Sequence, residues 1–241
     1  MKNIIPLFVI ASVSLFGSSA TAQFQLISES QELNAGRQAD AQITQKYKVS
    51  NDSRRNRLVQ SIGNRLVAVC ERPKLKWTFR VLDSEELNAF SVPGFVYITT
   101  KTMDACNGDR DELAGVIGHE IGHTCGKHMV RSMEKQTVGG LLISLLGGNN
   151  KLVSGLANLA ANIALKGYSR DEENDADKRS VHYTIAANYD PRGLIRFFEY
   201  LENNGDKSTN SGIGKFLQDH PATVERVKRV EAEIAKTRNL R

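Results

Sequence analysis

The strongest constraint on this chain is His119-Glu120-Ile121-Gly122-His123, set within the run DELAGVIGHEIGHTCGKHMV. Two histidines four residues apart on a helix lie about 40° apart around its axis, one turn above the other. Their imidazoles can share one metal ion, and Glu120 beside them can reach a water in an open position of that ion. Asp109-x-x-Glu112 marks the start of this helix, and Leu113, Val116 and Ile117 give it an apolar face. A helix with that face has to be built into a core.

H-E-x-x-H on a helix is the arrangement in which two histidines hold zinc and the glutamate serves as general base in peptide hydrolysis. A catalytic zinc needs a third protein ligand and a vacant position. His128 fails as that ligand in the pattern with three histidines. The pattern requires histidine at 129, which is Met129, and no methionine follows Met133. Continued helix would also point His128 about 140° away from His123. Ser169 to Asp177, SRDEENDAD, is the better source. Glu173 and Asp177 stack on one helix face, so one can bind the metal while the other orients a ligating histidine. Position alone leaves Asp171, Glu172 and Asp175 open.

The rest of the chain suits one domain, 23–241, in a mostly helical α+β fold with a small β-sheet beside the metal helix. With 241 residues, 40% of them hydrophobic, it can bury a substantial core. Ser28-x-x-Gln31 opens a first helix to about Tyr47, and a second follows Asp52 with Leu58, Ile62, Leu66 and Val69 on one face. Trp77, Phe79 and Val81 alternate as a half-buried strand. A turn at Pro93-Gly94 leads into a β-rich run from Phe95 to Thr99, read either as an edge that pairs with extended peptide or as an ordinary sheet strand. Residues 138–148 are too short an apolar run to span a bilayer, and together with 152–165 they read as core packing rather than a mobile cover. Asp190-Pro191 starts a helix through Leu194, Phe197, Phe198 and Leu201. His220-Pro221 opens the last one, with Val224, Val227, Val230 and Ile234 on one face.

Residues 1–22 read as a secretory signal peptide, with Lys2, an apolar stretch and Ala20-Thr21-Ala22 as the cleavage site. The mature chain is expected in an exported compartment, the bacterial periplasm, without a lipoprotein anchor. There the three cysteines matter. Cys106 and Cys125 fall at opposite ends of the metal helix, too far apart to bridge, and a Cys70–Cys125 pair remains open. Cys125 reads as a buried thiol rather than a ligand. The net charge of +5 is scattered and no nucleic-acid motif is present, which argues against that partner class.

HEIGHxxxxH and SRxxExxAD together resemble the zinc metallopeptidase family that includes HtpX and the CAAX prenyl proteases. The small exported LoiP-like and BepA-like peptidase domains are the most similar members. NAFSVPG, from Asn88, looks like that family's NAF-x-x-PGG, with Phe95 in place of the second glycine. DHPATVER, Asp219 to Arg226, looks like its HP-x-x-x-x-R. The resemblance implies a gluzincin-type fold and one zinc ion held by His119, His123 and Glu173, with Asp177 behind them. It further implies Glu120 as the base, His220 and Arg226 as catalytic groups, and substrate contacts at Asn88, Ala89 and Phe90. Expected substrates are polypeptides, above all misfolded or misassembled envelope proteins. Peripheral contact with membrane or outer-membrane assembly machinery is also expected. The flanking membrane helices of HtpX and the helical repeats of BepA are not expected here. A latent or plugged site acting as an assembly factor is the alternative.

Overall fold

The protein is described from a computed structural model over residues 27–132, 167–204, 216, 220 and 224–238. The signal-peptide reading and the 138–165 segment lie outside these residues. Helix α1 spans Glu29–Lys46, and Ser28 and Gln31 form the expected capping box at its start. Helix α2, Ser53–Val67, begins at Asp52, whose carboxylate accepts from the Arg54 and Arg55 amides. It ends two residues before Val69, which is 40% exposed instead of on the buried face.

Three strands follow: β1 Thr78–Leu82, β2 Ala89–Val92 and β3 Phe95–Thr99. Their order is β1-β3-β2, with β1 parallel and β2 antiparallel to β3. Of the two readings of Phe95–Thr99, the ordinary sheet strand holds, because β3 is paired on both sides. The edges are β1 and β2, and sequence periodicity misses β2. All four β2 residues are buried, so apolar and polar positions do not alternate.

Helix α3, Thr100–Ala105, leads into α4, Arg110–Cys125, capped by Asp109 as expected. A further helical turn begins at His128. Helix α5 is Arg170–Ala186, α6 is Gly193–Asn204 and α7 is Val224–Arg238. Asp190 opens a turn before α6 rather than the helix itself, its carboxylate accepting from the Arg192 amide at 3.1 Å. Among the described residues no helix is long and apolar enough to cross a membrane.

Helix α4 is buried along nearly its whole length, between the sheet on one side and α5 and α6 on the other. Its contact with α5 is close because α4 presents glycine there. A Cβ on Gly122 would stand 2.9 Å from the Ala176 carbonyl oxygen and 3.1 Å from its Cα. Any side chain at 122 would push the two helices apart, and α5 carries the acidic residues of the site.

Candidate metal centre

Four side chains, His119, His123, Glu173 and His220, bring one ligand atom each within 4.8 Å of one another, and all four are buried. The His119 and His123 Nε2 atoms are 2.9 Å apart. Glu173 lies 3.5 Å from His119 Nε2 through Oε2 and 3.3 Å from His123 Nε2 through Oε1. His220 Nδ1 is 3.0 Å from Glu173 Oε1 and 3.4 Å from His119 Nε2. A tetrahedral ion with bonds of about 2.0–2.1 Å would set its ligands about 3.3 Å apart, within the range of these separations. Imidazole nitrogens and a carboxylate fit such an ion in chemistry as well as spacing.

The acidic face of α5 divides its work by position. Glu173 joins the donors, and Asp177, one turn on, lies 2.9 Å from His119 Nδ1. Asp171 and Glu172 take no place in the donor cluster. Glu172 closes the capping box with Ser169. Arg226 reaches in from α7. Its Nε and Nη2 donate to the two Asp177 oxygens at 2.8 and 2.7 Å, and Nη1 lies 2.8 Å from Glu173 Oε2. Its guanidinium also sits over the Phe198 ring, 4.5 Å from the centroid.

Glu120 is 1% exposed, and its Oε2 has no hydrogen-bond partner among the described residues. Its Oε1 lies 3.8 Å from His220 Nε2. The void that Glu120 shares with His119, Phe197, Phe216 and His220 is about 10 Å³, on the order of one water molecule. A larger cavity of about 400 Å³ is lined by Glu173 together with Tyr168, Asn174, Arg226 and Val224. Val224, expected on the buried face of the last helix, is 58% exposed at its mouth.

Electrostatics separate the two α4 histidines. Burial opposes charge on His119, but Glu173 and Asp177 outweigh it and push the ring up to about 10. Burial and the neighbouring His119 hold His123 well below its ordinary value. Rings in such contact cannot both be charged. Burial raises Glu120, opposed by His220 and His119. Glu173 is held well below the ordinary carboxylate range, because His220, His119 and Arg226 overcome its burial.

Ala89 and Phe90 open β2 and Asn88 directly precedes it, and the Ser91 hydroxyl of this strand donates to the Glu120 carbonyl at 2.9 Å. Asn88 gives its carbonyl to the Thr99 amide at 3.0 Å. The antiparallel alternation therefore turns the Asn88 and Phe90 peptide groups toward β3 and those of Ala89 and Ser91 to the outer edge. The cysteines are free and buried, and none joins the donor cluster. The neighbouring Cys125 lowers the Cys70 thiol, and Cys70 together with burial raises that of Cys125.

His128, rejected as a ligand on spacing, takes no place in the donor cluster, but its contact with His123 is not foreseen by spacing. It is fully buried, and its Nδ1 lies 2.9 Å from His123 Nδ1. The extrapolated helix ends at Cys125, and Lys127, with φ of 54°, turns the chain back. Nothing in a lysine announces that left-handed turn.

Several curated proteins are similar to this chain in sequence. The chain is 30% identical over 190 residues to a putative beta-barrel assembly-enhancing protease of Vibrio cholerae, covering 74% of this chain and 39% of the relative. It is 28% identical over 176 residues to the mitochondrial metalloendopeptidase OMA1 of Saccharomyces cerevisiae, covering 69% of this chain and 49% of the relative. To a protease HtpX homolog of Salinibacter ruber it is 31% identical over 187 residues, covering 63% and 66%. The chain thus spans less than half the length of the beta-barrel assembly-enhancing proteases it matches. The model of Peptidase family M48 matches residues 53–234, which takes in α4, α5 and most of α7. That match covers the helices that supply His119, His123, Glu173 and Arg226, and the chain belongs to Peptidase family M48.

Proposed function

We propose that this chain is a zinc-dependent metalloendopeptidase of the bacterial periplasm that hydrolyses misfolded or misassembled envelope proteins. Its domain, 23–241, would follow a cleaved signal peptide at 1–22. The observation that carries the reading is the convergence of His119, His123 and Glu173 beside a buried Glu120 oxygen that has no hydrogen-bond partner among the described residues. Two histidines and a glutamate are a catalytic zinc set, which favours zinc over harder cations. Relatives named for beta-barrel assembly support substrates and partners in the envelope.

Zinc bound by these three residues would acidify a water and polarise the scissile carbonyl. Glu120 then takes the proton of the attacking water and delivers it to the leaving amine. Asp177 orients His119, and Arg226 holds Asp177 and Glu173 in place. His220 donates to the developing oxyanion. An extended substrate adds to the outer edge of β2 around Asn88, Ala89 and Phe90, with Ala89 offering outward peptide groups.

Glu120→Gln is expected to keep the metal and lower casein cleavage about 10²–10⁴-fold, the usual contribution of a general base. Glu173→Ala is expected to lose the metal. Wild-type cleavage by purified, metal-loaded Glu120→Gln would sink the mechanism.

A second reading, a latent enzyme acting mainly as an assembly factor, is favoured by His220 among the four donors and by the one-water void at Glu120. There His220 occupies the position the substrate needs. His220→Ala would then cleave casein faster than wild type. If His220 serves only the oxyanion, the same variant is slower by about 10²–10³-fold.

A further inference from the structure

His123 Nε2 faces the donor cluster, so its other nitrogen decides whether that lone pair is free for a metal. Nδ1 meets His128 Nδ1 at 2.9 Å, and His128 Nε2 meets Asp175 Oδ2 at 3.0 Å. Asp175 Oδ2 also accepts from Arg179 Nε at 2.7 Å, and Arg179 Nη1 donates to Glu71 Oε1 at 2.7 Å. For neutral rings this chain permits one proton assignment. A carboxylate held by arginine can only accept, so His128 Nε2 carries a hydrogen. His128 Nδ1 is then a bare lone pair, and the contact to His123 needs a hydrogen from the other side. That hydrogen sits on His123 Nδ1, which leaves His123 Nε2 unprotonated.

We infer that His128, backed by Asp175, is a positioning residue that locks His123 in the metal-binding tautomer and orientation. His119 has a carboxylate, Asp177, directly behind it, and His123 has a second imidazole between it and its carboxylate. The packing is specific to this arrangement. A Cβ on Gly126 would lie 2.4 Å from His128 Nε2 and 2.9 Å from Asp175 Oδ2, so only glycine lets the two side chains meet there. Polar partners behind a ligating histidine raise its basicity and fix its ring, and losing one typically weakens metal affinity by about 10–100-fold.

The inference rests on His123 being a metal ligand, and the experiment separates the two claims. Zn²⁺ alone is titrated into the metal-stripped full chain against a chromophoric chelator. His128→Leu is expected to bind Zn²⁺ about 10–100-fold more weakly than wild type. His128→Asn, which keeps an acceptor near the Nδ1 position, is expected to recover most of that loss. Asp175→Ala, at the partly exposed end of the chain, is expected to show a smaller loss in the same direction without unfolding the protein. Long-range ¹H–¹⁵N spectra of the Zn²⁺-loaded wild type should show His123 protonated at Nδ1 and His128 protonated at Nε2 only.

Wild-type Zn²⁺ affinity in both His128→Leu and Asp175→Ala would overturn the inference and leave His128 a packing residue. So would a proton on His128 Nδ1. A wild-type chain that takes up no Zn²⁺, with His123 still protonated at Nδ1, would instead overturn the zinc reading and leave the proton assignment standing.

Discussion

Arg226 holds two buried carboxylates with one guanidinium, and that decides what its loss should do. Asp177 and Glu173 are each 3% exposed. Breaking a buried ion pair from one side typically costs about 3–5 kcal/mol, because the remaining charge has neither water nor partner. Arg226→Met should therefore destabilise the metal-free protein by about that amount in urea unfolding. Zn²⁺ supplies positive charge at Glu173, so the loaded protein should lose less. An equal loss with and without Zn²⁺ would contradict this account, and no loss in either would show that the two carboxylates do not depend on Arg226 for stability. At this scale the sequence is informative where spacing determines geometry. His119 and His123 follow from a four-residue interval. Glu173 and Asp177 follow as a pair, but which of them faces the donors depends on how α5 lies against α4. The contact of His128 with His123 is illegible because it depends on a left-handed lysine.

Elements were readable where their ends carry polar caps. Ser28, Asp52 and Asp109 each accept backbone hydrogen bonds at the helix starts the sequence indicates. Strand β2 and helix α3 were not, because four buried residues and a six-residue helix are too short to show a period. The start of α4 also carries a titration that belongs to the element. Burial and the neighbouring Asp109 raise Glu112, against the opposing charge of Arg196, from 4.5 to about 7. A carboxyl raised on folding holds a proton that the unfolded chain has already released. Its stabilising contribution is therefore full below about pH 4.5 and is lost as pH rises through 7. Glu112→Gln cannot ionise, so its melting temperature relative to wild type should be more favourable at pH 8 than at pH 4.5. A difference that does not change across that window would show that Glu112 titrates normally in the folded protein.

At the scale of the whole molecule, α1 lies outside the family match and is fastened to the metal helix by one side chain. Arg72 Nη1 donates to Glu32 Oε1 at 2.6 Å and to the Thr124 carbonyl at 3.1 Å, and Nη2 donates to Glu32 Oε2 at 3.0 Å. One guanidinium thus neutralises a carboxylate that is 1% exposed and satisfies a carbonyl in the last turn of α4. Thr124 follows His123 directly, so this joint between α1 and α4 sits beside a proposed ligand. Arg72→Ala should lower stability by about 3–5 kcal/mol, since Glu32 would stay buried without a partner. Replacing both ends with apolar residues, Arg72→Met with Glu32→Leu, removes the stranded charge. Such exchanges are often neutral or stabilising, so the double variant should regain most of the loss in urea unfolding. A double variant no more stable than Arg72→Ala would mean that the Thr124 carbonyl, and not the Glu32 charge, is what Arg72 is needed for.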